Sequence, residues 1–194
     1  EVKPFTLSLT QATESGTVYS QNEIKEIADI CKKHHINVHM DGARFANSIA
    51  HLGCTPSEIT WKAGVDILVF GATKGGTYAS ECIVLFDKNK FLDMNYRIKR
   101  SGHLLCKQYF LTQQFLAWLE NERWIKQAKH SNKMTQMLYK SISKVKNYKT
   151  LYPVEANMLF VKLNKKAIDY LEKEKVLFHY WNKQDNIILS TLYD

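Results

Sequence analysis

Val65-Asp66-Ile67-Leu68-Val69-Phe70-Gly71-Ala72-Thr73-Lys74-Gly75-Gly76 is an apolar run that ends in a glycine-rich loop, and its reading decides the fold. From Val65 to Phe70 only Asp66 is polar. That is the pattern of a strand covered on both faces, as in parallel sheets flanked by helices. Gly71 to Gly76 then reads as a loop whose one charged residue is Lys74. The segment before it has the same form. Ile36 to Met40 is a compact strand ending at Asp41-Gly42, and a helical stretch runs from there toward His51 and closes at Gly53. On the other side, Ala79 to Phe86 reads as a further strand before Asp87. Strands alternating with helices predict an α/β fold with a mainly parallel sheet, in which ligands collect at strand ends.

Outward from this centre, Thr6 to Leu9 reads as a short strand, followed by a polar segment from Gln11 to Ser20. Ser20 and Glu23 form a capping box, and Ile24, Ile27, Ile30 and Cys31 repeat at helical spacing as far as Lys32-Lys33-His34-His35. Those histidines read as part of a charged helix end rather than a metal site. Thr55-Pro56-Ser57-Glu58 has the signature of another short helix. After Lys88 the pattern turns to long helices, His103 to Glu120 and Asn121 to Val145. Tyr148 to Tyr152, Asn157 to Leu163, Val176 to Trp181 and Ile187 to Tyr193 then read as strands around a helix from Lys165 to Lys175. The expected division is a partial ligand-binding domain over residues 1–90, connecting helices over 91–145, and a small α+β domain over 146–194.

The chain of 194 residues is long enough to bury a core, and 45% hydrophobic with 24% charged residues is ordinary for a globular protein. The formal charge of +8 gives a pI near 9.2, but the basic residues are scattered. The densest pairs, Lys32-Lys33 and Lys165-Lys166, fall near helix ends, so they predict a solvated surface and no nucleic-acid partner. Cys31, Cys54, Cys82 and Cys106 are far apart, lack metal-ligand spacing, and read as reduced core thiols inside helices or strands. No apolar run approaches the roughly 20 residues that span a bilayer, and the Glu1-Val2 start followed by Pro4 is unlike a secretory signal. The expectation is a cytoplasmic protein without membrane or metal.

The two strand ends carry complementary chemistry. A lysine in a glycine-rich loop at the mouth of a sheet is open to desolvation, which favours its neutral amine and Schiff-base formation. An aspartate at the neighbouring strand end suits a pyridine nitrogen, which it keeps protonated and electron-withdrawing. Singly, an Asp-Gly is an ordinary turn and a loop lysine an ordinary solvated charge. Together, Lys74 and Asp41 are the minimal pair for pyridoxal 5'-phosphate (PLP).

His39-Met40-Asp41-Gly42-Ala43-Arg44-Phe45-Ala46-Asn47 together with Gly71-Ala72-Thr73-Lys74-Gly75 closely resembles the low-specificity L-threonine aldolases. The resemblance takes in Thr10 to Tyr19, Trp61 to Asp66, Lys99 to Leu105 and Glu155 to Met158, and so covers nearly the whole chain. It implies the latter part of a fold type I PLP enzyme, with a mainly parallel sheet domain followed by a small α+β domain. It further implies that Lys74 carries the cofactor, Asp41 pairs with the pyridine nitrogen and Arg44 lies beside the phenolic oxygen. Gln11 would pass near the ring, Thr73 would reach the phosphate, and Arg100 with Lys99 would reach the phosphate of a neighbouring subunit. Each of these three also reads as structural or as exposed surface. His39 would touch the cofactor or orient Asp41.

The implied reaction is retro-aldol cleavage of threonine or a related β-hydroxy-α-amino acid to glycine and an aldehyde. Other PLP enzymes, such as serine hydroxymethyltransferases and aminotransferases, share the lysine and aspartate logic, and a non-catalytic remnant is a further alternative. The family's first segment has no counterpart before Glu1, and the apolar Ile188 stands where the family places an arginine for the substrate carboxylate. The expectation is therefore a chain completed by an N-terminal segment or by self-association.

Overall fold

The computed structural model describes residues 2–146 and 148–191. Two sheets organise it. The first has the order β1 (Thr6–Thr10), β2 (Asn37–Gly42), β3 (Ile67–Gly71), β4 (Glu81–Leu85). β1, β2 and β3 run parallel, with Thr10 opposite Asp41 and Gly42 opposite Phe70, whereas β4 is antiparallel to β3. The mainly parallel sheet read from the apolar runs is thus present. Parallel pairing also brings the carboxyl ends of β1, β2 and β3 to one rim.

Alternation along these strands explains the core. Val38, Met40 and Leu68 are buried on the face covered by α1 (Gln21–Lys33), where they meet Ile24, Ala28 and Cys31. Each large apolar side chain buried here contributes about 1.5–3 kcal/mol. Ile67 and Val69 point to the opposite face and are only half-buried. The expected burial of β3 on both faces therefore holds on one face alone among the described residues. Its start also moves to Ile67: Asp66 leaves the strand to accept the Val38 N–H at 2.8 Å and the Lys90 ammonium at 2.6 Å.

The box that opens α1 is complete. The Ser20 hydroxyl accepts the Glu23 N–H, and the Glu23 carboxylate accepts the Ser20 hydroxyl and N–H. Those bonds, the hydroxyl first, hold the Glu23 carboxyl below its usual range. The same chemistry at Thr55 and Glu58 does not yield the expected helix. Glu58 accepts the Thr55 N–H and hydroxyl, both at 2.7 Å, yet turns follow, and only Trp61–Ala63 closes into a 3-10 turn before Gly64 at φ 96°. Thr60 spends its hydroxyl on the Pro56 carbonyl, and the backbone then turns out of helix at Thr60.

The helical region differs more. α3 (Met94–Arg100) is an element the hydropathy pattern did not separate, and α4 (Tyr109–Leu119) begins six residues later than His103. Gly102 at φ 76° ends the preceding segment. α5 (Arg123–Ile142) is the longest helix, and its polar residues reach in several directions. Gln127 packs on Gly76, Ser131 and Asn132 bond Asn47 of α2 (Phe45–Leu52), and the Thr135 hydroxyl meets that of Thr191 at 2.6 Å.

The second sheet is antiparallel, in the order β5 (Lys149–Thr150), β6 (Met158–Lys162), β8 (Lys183–Ser190), β7 (His179–Trp181), with α6 (Lys165–Lys173) packed on it through Ile168. Its expected strands are all present, though shorter at most ends. The last three residues of the chain lie outside the described residues.

The cysteines need one correction. Cys31 is buried, Cys54 and Cys82 are half-buried, but Cys106 is exposed in the turn before α4, and Cys54 also lies outside any regular element. Burial raises the Cys54 and Cys82 thiols above their usual range, with Glu58 adding repulsion at Cys54. A raised thiol holds less thiolate at any given pH, and thiolate is the reacting form. Brief N-ethylmaleimide treatment at neutral pH should therefore alkylate Cys106 first by about tenfold or more. Peptide mass spectrometry reads the order, and equal labelling of Cys54 or Cys82 would contradict it.

Candidate active site

Of the residues read from the sequence, Asp41, Arg44 and Lys74 lie at or just beyond the neighbouring ends of β2 and β3. Asp41 is half-buried at the end of β2, and its Oδ1 accepts the Ala43 N–H at 2.9 Å. That bond fixes the carboxylate on the turn, while Oδ2 has no hydrogen-bond partner among the described residues. Gln11 donates its backbone N–H to the Asp41 carbonyl at 2.8 Å, so the ends of β1 and β2 are joined there. Arg44 follows as the residue before α2.

Close backbone packing brings the two strand ends together. A Cβ on Gly42 would lie 2.6 Å from the Val69 carbonyl oxygen, and one on Gly71 would lie 2.7 Å from the Ala43 Cα. Only hydrogen fits at either place. Beyond Gly71, Thr73–Gly75 forms a single 3-10 turn that presents Lys74 on the surface.

This turn is held from several sides. The Thr73 hydroxyl accepts the Ser80 N–H at 3.1 Å and donates to the Ser80 carbonyl at 3.4 Å, and the Thr73 N–H reaches Glu81 Oε1 at 3.3 Å. Gly75 and Thr77 both donate to the Ala72 carbonyl. From α4, Trp118 donates its indole N–H to the Gly75 carbonyl, and Gln114 accepts the N–H groups of Tyr78 and Ala79 at 3.0 and 3.1 Å.

The remaining expected residues have other surroundings. Gln11 is fully buried: its amide donates to the Tyr19 carbonyl at 2.9 Å and accepts the Tyr19 N–H at 3.0 Å. Its hydrogen bonds close the 11–19 loop rather than face the rim. Thr73 likewise spends its hydroxyl on Ser80. His39 shares a proton with the Ser8 hydroxyl at 2.7 Å, across the β1–β2 pair. Arg100 is exposed at the end of α3 rather than ahead of a helix, and Ile188 is half-buried in β8 between Phe160 and His179. Glu81, Gln114 and Trp118 were missed. Glu81 comes close through the β3–β4 connection, whereas only long-range packing brings Gln114 and Trp118 to the turn, and no local spacing announces that.

Three parallel strands whose carboxyl ends converge on a lysine loop, with an antiparallel strand beside them and a separate small sheet, place the chain in fold type I of the PLP-dependent enzymes. More narrowly, it belongs to the beta-eliminating lyase family, whose sequence profile matches residues 2–166. It is 41% identical over 177 residues to a low-specificity L-threonine aldolase from a Pseudomonas species, covering 91% of this chain and 51% of that protein. It is 43% identical over 169 residues to the Pseudomonas aeruginosa enzyme of the same description, covering 87% of this chain and 49% of that one. Among solved structures, Leishmania major threonine aldolase superposes with a TM-score of 0.89 at 25% identity, over 99% of this chain and 57% of that one. Catharanthus roseus tryptophan decarboxylase shares the fold at a TM-score of 0.70, with 14% identity over 97% of this chain and 45% of that one. The chain thus spans about half the length of the curated relatives it matches.

Proposed function

We propose that this chain carries PLP on Lys74 and supports the cleavage of threonine, or a related β-hydroxy-α-amino acid, to glycine and an aldehyde. One observation carries the reading: an exposed lysine in a braced turn shares the sheet rim with an aspartate whose carboxylate is fixed by one N–H and keeps an oxygen available. The donor set fits the group. Lys74 supplies a primary amine for covalent attachment, and Asp41 holds a proton at the pyridine nitrogen. Arg44, as the next residue along the same rim, would face the phenolic oxygen. When bound, the cofactor supplies an electron sink for the charge left at Cα as the Cα–Cβ bond breaks. In threonine cleavage the β-hydroxyl proton leaves, the carbonyl of acetaldehyde forms, and a proton added at Cα completes glycine.

Two further elements belong to this proposal. The phosphate and substrate contacts that Lys74, Asp41 and Arg44 do not provide would come from a complementary segment or a second copy, with Arg100 on the exposed end of α3 available to it. A cytoplasmic location agrees with four free cysteines. Among the described residues no helix is long and apolar enough to cross a membrane.

The test is titration with PLP, followed by borohydride reduction and peptide mass spectrometry, on the native chain and on Asp41→Asn. A pyridoxyl group confined to Lys74 is the expected result, together with a change in visible absorption in Asp41→Asn as the pyridine nitrogen loses its proton. Labels spread over surface lysines would refute the reading. Ile188 favours a second reading, in which the chain holds the cofactor without turning over substrate, because an isoleucine forms no paired hydrogen bonds to a carboxylate. Glycine and acetaldehyde released from threonine by the loaded protein would exclude it.

A further inference from the structure

Trp118 lies on α4, 43 residues beyond Gly75 in sequence, and yet touches the turn that presents Lys74 in two ways. Its indole N–H donates to the Gly75 carbonyl. The edge of its six-membered ring lies so close to Gly75 that a Cβ there would sit 2.4 Å from Cζ2 and 3.1 Å from Cε2. The ring is 4% exposed. It is fixed in turn by Phe70 at 5.2 Å, Phe115 at 5.6 Å and Trp124 at 6.1 Å between ring centroids. Phe70 belongs to β3 itself, next to Gly71. The cluster therefore ties the strand that ends at the rim to the carbonyl one residue past Lys74.

We propose that Trp118 is a positioning residue for Lys74: its indole N–H and the ring edge beside it set the Thr73–Gly75 turn so that the lysine amine is presented at the rim beside Asp41. This rests on the cofactor reading above. Among the other restraints, those from Ala72, Ser80 and Glu81 lie within the segment that joins β3 to β4 and move with it, and Gln114 bonds Tyr78 and Ala79 further along rather than the turn itself. Trp118 anchors the turn to a different element. Without the N–H, the Gly75 carbonyl is left facing an apolar ring, and the Gly75–Gly76 peptide rotates to find water. The amine is then displaced even though the core keeps its volume, and small displacements of a reacting group carry large costs in rate.

The test compares the native chain with Trp118→Phe. A second variant carries benzothienylalanine at 118, which keeps the bicyclic shape without an N–H and covers the case in which phenylalanine leaves a cavity that unfolds the protein. Two quantities are read. In the absence of PLP, amide exchange at residues 75–77 is expected to quicken about five- to tenfold in both variants, while exchange in α1 stays unchanged. With PLP, the rate of borohydride-trapped adduct at Lys74, divided by that at the exposed Lys107 and Lys129 of the same molecules, is expected to fall by a similar factor at a temperature well below the thermal midpoint of each variant. Unchanged exchange at 75–77, or an unchanged Lys74 ratio in the benzothienyl variant, would overturn the proposal. A native chain that shows no preference for Lys74 removes the cofactor reading and this proposal with it. Native preference lost in the variants supports both.

Discussion

Lys74→Ala is expected to abolish the pyridoxyl adduct on the 72–80 peptide while leaving the fold intact. The side chain is exposed, its turn is held by backbone and by Thr73, Trp118 and Gln114, and alanine is at ease in a 3-10 turn. The thermal midpoint should therefore move by no more than a surface substitution moves it, within about 0.5 kcal/mol. The functional effect is of another order. A covalent amine has no substitute on this rim, since the nearby nitrogen of Arg44 stays protonated and cannot attack a carbonyl carbon. Any aldolase activity of the completed enzyme should fall by about a thousandfold or more, as with other residues that form the covalent bond. Lys74→Arg should fail equally, which separates covalent attachment from a mere need for positive charge. A variant that keeps both adduct and turnover would move the chemistry to a different lysine.

Gly71→Ala should be damaging for a single methyl. The added carbon would meet the Ala43 Cα at 2.7 Å and the Gly42 carbonyl oxygen at 3.1 Å, both backbone atoms at or just past the paired end of β2. Overpacking of this kind costs about 1–3 kcal/mol, and here the strain falls on the contact that brings the Asp41 and Lys74 strands together. Urea unfolding should show a lowered midpoint, accompanied by slower trapping at Lys74. Gly53→Ala is the comparison. Gly53 sits at φ 65° with no atom within 4 Å of the added carbon, so only the left-handed backbone penalty of about 1 kcal/mol applies, and Lys74 should be trapped at the native rate. If the two variants lose equal stability and both trap normally, the close approach of β2 and β3 has no bearing on the site.

The elements that hydropathy made legible are those whose partners lie in the adjacent layer. The parallel strands, α1 with its box and α6 all have apolar faces turned to a neighbouring sheet or helix, and one-dimensional patterns report that well. The failures are local rules overruled by tertiary contacts. The Thr55 signature was chemically complete, but Thr60 turned the backbone away. α3 was not picked out, and α4 was begun too early because exposed Leu104 and Leu105 extend its apolar pattern backwards through a stretch that is not helical. At the candidate site, the positions of Lys74, Asp41 and Arg44 were legible because each lies at or just past the end of a recognisable strand. The surroundings of Gln11 and Thr73 were not legible for the opposite reason: amides and hydroxyls are satisfied by whatever backbone lies nearest, and the sequence does not say which. Trp118 carried no sign at all, because its partner is a carbonyl.

The polar stripe on α5 has a consequence that reaches past stability. Gln127, Ser131 and Thr135 recur every four residues, so a single face of one helix rests successively on the turn after Lys74, on α2 behind Asp41, and on Thr191 at the end of β8. A helix is stiff along its axis, and three such footholds leave it little freedom to slide at one without sliding at the others. Whatever occupies the rim and whatever packs against the second sheet thus act on a common element. Their influences on each other must be equal in both directions: a partner that tightens when the lysine is loaded will, by the same factor, favour the loaded lysine.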